Sequence, residues 1–181
     1  PTLPEVIERS DVDTVVELIG GTNAAYDGVR RALNAGKHVV TANKALLAAH
    51  GPELMDLAYQ NGVQLRFEAA VGGCVPIISS LLMGMSAAHL HSLLAILNGT
   101  TNFILSRMSR EHQSYQAALL QAQARGFAEA DRSFDVDGHD AAQKLAILSV
   151  LAFGLGVREA QIPTEGITAI SLEERRGRLA R

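Results

Sequence analysis

Thr14-Val15-Val16-Glu17-Leu18-Ile19-Gly20-Gly21 is the stretch on which the fold turns. A β-branched apolar run that stops at paired glycines reads as a buried strand ending in a turn. Upstream, residues 4–10 read as the end of a helix that Asp11-Val12-Asp13 leads out of. Downstream, Ala24 to Ala35 has helical spacing, with Val29, Ala32 and Leu33 on one side and Gly36 as a C-terminal stop. His38-Val39-Val40-Thr41 is a second short strand. A helix begins at Lys44 to Ala49 and continues or restarts over Pro52 to Asn61, and Asn61-Gly62 turns the chain into a third strand, Val63 to Phe67. Strands alternating with helices at this rhythm predict βαβ units and a parallel sheet.

The second half has a different texture. Val71-Gly72-Gly73-Cys74-Val75 is a glycine loop, and Pro76 stands where a first helical residue would. The pattern predicts a helix over Ile77 to Ala87 and an apolar strand over Leu90 to Leu97, ending at Asn98-Gly99-Thr100-Thr101-Asn102. Further helices are expected over Phe103 to Ser109 and Ser114 to Arg125, the latter stopped by Gly126. An acidic loop is expected from Glu129 to Asp140, an apolar helix over Ala141 to Leu155, and a charged helical stub over Leu172 to Arg181.

Composition narrows the class of protein. The 181 residues are 48% hydrophobic and 19% charged with a formal net charge of −3, which fits a globular chain and not a disordered tail. Mild acidity and only five Phe, three Tyr and no Trp argue against nucleic acid as a partner, because neither a basic patch nor base-stacking platforms are on offer. A single cysteine, Cys74, excludes an internal disulfide framework and makes a reducing compartment the default. Residues 69–106 contain no Asp, Glu, Lys or Arg, yet Gly72-Gly73, Pro76, Ser79-Ser80, His89, His91 and Asn98 interrupt them, so buried core is expected there and no membrane span. The start, Pro1-Thr2-Leu3-Pro4-Glu5, is no signal peptide, and without an initiator Met it predicts that the chain begins inside something larger.

Several residues carry chemistry at the level of spacing. The one Gly-x-Gly, Gly154-Leu155-Gly156, closes a helix instead of opening one and is rejected as a phosphate loop. Gly20-Gly21 and Lys44 both follow strands, at the end of a parallel sheet where ligands lie, although a plain turn and a solvated Lys account for them too. Glu129, Asp131, Asp135, Asp137 and Asp140 fall within 12 positions. An EF-hand reading fails at its ends, with Ser133 first and Lys144 where the bidentate Glu belongs. Lys144 follows Asp140 by four residues at the start of an apolar helix, which suits a general acid/base beside a core; an ordinary i,i+4 surface pair is the plainer reading of the same spacing. Glu68 with the backbone carbonyls of the glycine loop could hold a hard cation, or simply bond loop amides. Cys74 reads as a nucleophile or as a small buried thiol, and the six histidines show no metal spacing.

Taken together, Val39-Val40-Thr41-Ala42-Asn43-Lys44, Phe67-Glu68-Ala69-Ala70-Val71-Gly72-Gly73-Cys74-Val75-Pro76-Ile77-Ile78 and Leu97-Asn98-Gly99-Thr100-Thr101-Asn102 resemble homoserine dehydrogenase. So do Gly126-Phe127-Ala128-Glu129-Ala130-Asp131 and Asp135-Val136-Asp137-Gly138-x-Asp140-Ala141-Ala142-x-Lys144. The blocks keep the family's order and spacing over essentially the whole chain. The resemblance implies an α/β fold: a partial Rossmann-like parallel sheet over 1–66, then over 67–181 part of an α/β catalytic domain with a mixed sheet and helices packed on it. It implies an NAD(P)-dependent oxidoreductase interconverting L-homoserine and L-aspartate 4-semialdehyde, on the route to threonine and methionine. It also implies a cytoplasmic homodimer, with no nucleic-acid or membrane partner.

Residue by residue, the resemblance implies that Lys144 gives the aldehyde oxygen its proton in reduction and acts as base in reverse, oriented by Asp140. Glu129, Asp135 and Asp140 would bind the substrate's polar end, with Gly99 and Thr100 adding backbone and hydroxyl contacts. Lys44 would stand by both nicotinamide and substrate, and Gly20, Gly126 and Glu129 by the cofactor. Glu68 with the carbonyls of Val71, Gly73 and Val75 matches the family's sodium site. Cys74 departs from the usual glycine and Arg132 from the usual proline, and the family's phosphate loop and later strands have no counterpart here. The chain alone is therefore expected to be inactive. Two rival readings stand beside this one: a thiol-dependent semialdehyde dehydrogenase using Cys74, and a non-catalytic interaction fragment.

Overall fold

In a computed structural model, residues 2–85, 87–128 and 132–170 are described. Three strands, β1 (Thr14–Glu17), β2 (His38–Thr41) and β3 (Leu65–Arg66), form one parallel sheet in the order β1-β2-β3. Thr14 pairs with His38 and Glu17 with Thr41, while Val39 pairs with Leu65. The crossovers are α2 (Asn23–Asn34) and α3 (Lys44–Gln60), as the alternating pattern predicts, and a short α1 (Leu3–Ile7) precedes β1.

The strands alternate because successive side chains point to opposite faces. Val39 and Thr41 are buried on the face that carries the helices, while Val16 and Val40 are exposed on the other. α2 buries Ala25, Gly28, Val29, Ala32 and Leu33, a stripe at helical period, and this packs with Val39, Leu46, Leu54 and Ala58 into one core. α2 ends at Gly36, whose φ is +72°, with Gly36 N–H donating to Leu33 O and Lys37 N–H to Ala32 O. That pair of bonds is a Schellman cap, which needs the left-handed conformation that glycine takes without steric cost. α3 runs unbroken through Pro52, where one intrahelical bond is lost because proline has no N–H.

Two compact units divide the described residues. The first runs through Leu93 and takes in Gln143–Ile162; the second is Leu94–Ala142 with the residues from Pro163 on. In the second unit, α5 (Gly99–Arg110) and α6 (Tyr115–Ala124) share a core of Ile104, Met108, Ala118, Leu119 and Ala122 with Val136 and Ile167. α7 (Ser133–Val136) is a single turn, and α8 (His139–Phe153) starts in the second unit and continues in the first. No helix among the described residues is long and apolar enough to cross a membrane.

Several expectations are corrected. Residues 90–97 form no strand among the described residues, and Leu94 and Ile96 are exposed. An apolar run becomes a strand only when a neighbour supplies its ladder of hydrogen bonds, and every strand described here belongs to the first unit's parallel sheet. The helix expected over Ile77 to Ala87 is instead one α-helical turn, α4 (Ile77–Ser79), followed by a π turn over Ser80–Gly84. Ser80 explains part of this, since its hydroxyl bonds back to Pro76 O at 2.6 Å and competes with regular helix. The acidic loop is partly helical, holding α7 and the first turn of α8. β1 stops at Glu17, two residues short of Ile19, and β3 holds only two of its five expected residues. The expected stub over Leu172 to Arg181 lies outside the described residues.

Candidate functional site

At the carboxyl end of the sheet, one buried carboxylate organises two loops. Glu17, 4% exposed, closes β1. Its Oε1 accepts the N–H groups of Ile19 at 2.7 Å and Gly20 at 3.2 Å, and its Oε2 accepts the Thr41 hydroxyl at 2.6 Å. Thr41 Oγ1 in turn accepts Asn43 N–H at 2.9 Å. Asn43 then serves both sides: Oδ1 caps α3 by accepting Leu46 N–H at 3.1 Å, and Nδ2 donates to Gly21 O at 2.7 Å. The loop after β1 and the start of α3 are thus tied into one frame, and Lys44 is the first residue of that helix.

This frame forms one wall of an open cavity of about 410 Å³ in the first unit, lined by Gly20, Asn43, Lys44, Gly72, Gly73 and Lys144 among others. The rest of the lining is alanine, so a flat ring can approach the backbone closely while two lysines supply the polar chemistry. Gly20, Lys44 and Lys144, separated by up to 124 positions in sequence, are therefore brought to one place.

Glu68 sits in a 3-10 turn after β3. Its Oε1 accepts Ile78 N–H at 2.9 Å, and its Oε2 accepts Ser79 N–H at 3.0 Å as well as the Ser79 hydroxyl. Those bonds, the Ser79 hydroxyl first, hold the Glu68 carboxyl below its ordinary value of 4.5 against an opposing push from burial. Between these ends lie Val71, Gly73 and Val75, in a turn where Val75 N–H donates to Gly72 O at 2.8 Å and Ile77 N–H to Val75 O at 2.8 Å. One carboxylate plus backbone carbonyls is an all-oxygen donor set, which fits a hard cation and not a soft one. Cys74 takes φ +68° within this turn, costing about 1 kcal/mol relative to the glycine that conformation favours. Its thiol is exposed and not a buried core group.

The depressed Glu68 value has a pH consequence. A carboxylate held below 4.5 contributes stability that is complete above that value and is lost as pH falls through the folded-state value. Glu68→Gln is therefore expected to melt below the wild-type protein at neutral pH, with the gap shrinking in acid. Melting curves across pH check this, and a gap independent of pH contradicts it.

The second unit gathers another cluster. Asp140, 2% exposed, stands in the first turn of α8, where the helix dipole favours an anion. Asn98, the N-cap of α5, donates through Nδ2 to Asp140 Oδ2 at 2.8 Å and to Asp135 Oδ1 at 2.7 Å. Gly99 and Thr100 open α5 beside them, and the Thr100 hydroxyl donates to Phe127 O at 2.6 Å. Gly126, at φ +74°, ends α6, with Gly126 N–H on Gln123 O and Phe127 N–H on Ala122 O. Lys144 lies one turn beyond Asp140 on α8. Glu129 lies outside the described residues. Sequence reasoning missed Glu17 and Asn98. The signals were present, a lone acid ending a β-branched run and an Asn before Gly-Thr-Thr, but the partners that join separate elements are 24 to 42 residues away.

Known proteins resemble this chain in sequence and in fold. The profile of the homoserine dehydrogenase family matches residues 76–180, and that of the homoserine dehydrogenase NAD binding domain matches residues 2–68. Homoserine dehydrogenase of Pseudomonas aeruginosa is 48% identical over 167 residues, covering 92% of this chain and 38% of that protein. The Corynebacterium glutamicum enzyme is 49% identical over 166 residues, 92% of this chain and 37% of its own. The crystal structure of a homoserine dehydrogenase from Thiobacillus denitrificans matches with a TM-score of 0.90 at 44% identity, covering 99% of this chain and 42% of that one. A hyperthermophilic archaeal homoserine dehydrogenase in complex with NADPH matches with a TM-score of 0.80 at 30% identity, over 94% of this chain and 52% of the other. The chain thus spans roughly two-fifths of the curated relatives, 38% of the one from P. aeruginosa.

Proposed function

The chain belongs to the homoserine dehydrogenase family, and from that premise we propose that the full-length protein carrying it oxidises L-homoserine to L-aspartate 4-semialdehyde with NAD(P), and reduces the aldehyde in reverse. The observation that carries this reading is the cavity at the ends of β1 and β2 that Gly20, Lys44 and Lys144 line together. Ligands of open parallel sheets lie at the carboxyl ends of the strands, so the position suits a nicotinamide cofactor. When bound, the cofactor accepts or returns the hydride. The residues of this chain supply the rest.

Lys144 takes the substrate hydroxyl proton while hydride leaves the carbon that bears that hydroxyl, and in reverse it returns the proton to the aldehyde oxygen. Lys44, fixed at the start of α3 by its capping neighbour Asn43, offers a second cation to the reacting groups. Asp135 and Asp140 receive the amino-acid end of the substrate, with Glu129 beside them in sequence and Gly99 and Thr100 adding polar contacts. Gly126 and Gly20 border the cofactor. Glu68, Val71, Gly73 and Val75 hold sodium, and the whole protein works as a cytoplasmic homodimer.

The test is direct. Full-length protein mixed with L-homoserine and NAD or NADP is expected to produce the absorbance of reduced nicotinamide in proportion to enzyme. No absorbance change with either cofactor overturns the reading.

A further inference from the structure

We propose that Asn98 is a positioning residue, holding the carboxylates of Asp135 and Asp140 side by side in the orientation that receives the cationic end of an amino-acid substrate; this rests on the dehydrogenase reading above. The Asn98 side-chain amide has two N–H hydrogens, and its two bonds to Asp135 and Asp140, at 2.7 and 2.8 Å, use both. Its carbonyl end is engaged as well, accepting Thr101 N–H at 2.8 Å and the Thr101 hydroxyl at 3.0 Å. Turning the amide over would set its oxygen against two carboxylates and its NH2 against the Thr101 N–H, so the partners settle its orientation.

The arrangement has a chemical purpose beyond capping a helix. Two carboxylates drawn to one point repel. A shared neutral donor offsets part of that repulsion without adding a charge that would compete with a ligand. A carboxylate can accept several hydrogen bonds at once. A primary ammonium, three donors on a point charge, is the group that completes such a pair. Asn98 is 7% exposed and is the N-cap of α5, so the pair is anchored to the start of a helix. Asn98 bonds Asp135 of α7 and Asp140 of α8, the first turn of α5 has no acid, and Lys144 follows one turn beyond Asp140 on α8.

Capping and positioning separate by substitution. Asp and Ser are N-caps nearly equal to Asn, so Asn98→Asp and Asn98→Ser both keep an oxygen for Thr101 N–H. Towards the acids they differ: Asp adds a third carboxylate, and Ser offers one hydroxyl for two N–H groups. In the full-length protein, kcat/KM for homoserine is expected to fall about tenfold for Ser and about 100-fold for Asp, as loss of hydrogen bonds to charged groups implies. KM for NAD(P) is expected to stay within about twofold, since the loss concerns the substrate's end alone. Kinetics within about twofold of wild type for both variants would overturn the proposal and leave Asn98 a helix cap. Where Asn98→Asp does not fold, the Ser variant decides on the same terms.

If the unsubstituted protein does not oxidise homoserine, the functional reading falls, and the grip on the acids is read from melting instead. Asn98→Asp is then expected to melt below Asn98→Ser at about pH 8 and to close that gap at about pH 5, as one of three crowded carboxyls takes a proton. Equal melting at both pH values overturns the proposal, whatever the protein turns over.

Discussion

Replacing Lys144 by alanine in the full-length protein is expected to lower kcat for homoserine oxidation by about 10³-fold, within the range a positioned general base contributes. The alcohol proton is far too weakly acidic to leave unaided as hydride departs, so the loss falls on the chemical step. Binding of NAD(P) is expected to change by less than about twofold, because the amine acts on the reacting oxygen and adds little uniform binding. Lys144→Arg is the sharper variant. It keeps the positive charge in the cavity that Lys44 also lines, yet a guanidinium stays protonated across the working range and cannot accept the proton. Arginine is therefore expected to be nearly as inactive as alanine. Steady-state kinetics with both variants check this; an arginine variant retaining a tenth of wild-type kcat would reduce Lys144 to an electrostatic role.

How far sequence alone reached is clearest at the elements with local causes. β1 and β2 are β-branched runs, and α2 repeats its apolar residues at helical period before a glycine, so neighbours in sequence specify them. Leu90 to Leu97 shows the opposite case. Its composition is that of a strand, but pairing needs a partner that no property of the segment supplies. The π turn over Ser80–Gly84 owes part of its form to a Ser80 hydroxyl bonding a backbone carbonyl, which residue type permits without requiring.

The candidate site divides along the same line. Gly20 and Lys44 stand directly after strands, so the sheet rule marks them. That Lys144 lines the same cavity is a tertiary fact, and the spacing to Asp140 fits a surface pair equally well. Gly126 shows how one residue serves two readings: its φ of +74° is what the end of α6 requires, whatever lies next to it. The two residues that sequence reading passed over, Glu17 and Asn98, are both buried hydrogen-bond centres. Their importance comes from partners far along the chain, not from their own type.

Glu17 carries the second large expectation. Truncation to alanine strands the Ile19 and Gly20 N–H groups and the Thr41 hydroxyl, each of which now bonds its carboxylate. An unsatisfied buried donor costs about 1–3 kcal/mol, and water entering the vacated space recovers part of it, so a net loss of about 3 kcal/mol is expected. For a domain of this size that lowers the melting midpoint by about 5–10 °C. The effect reaches the site because the same carboxylate ties Gly20 to Thr41, and Thr41 to the Asn43 that starts the helix of Lys44. Glu17→Ala is accordingly expected to raise KM for NAD(P) by about tenfold, the cost of ordering a released loop on binding. Glu17→Gln keeps one acceptor oxygen but turns an NH2 toward existing donors, so it falls between wild type and alanine on both measures. Melting and cofactor KM moving together across the three proteins identify one cause. An alanine variant that melts like wild type would mean that the two loops hold their places without the carboxylate between them.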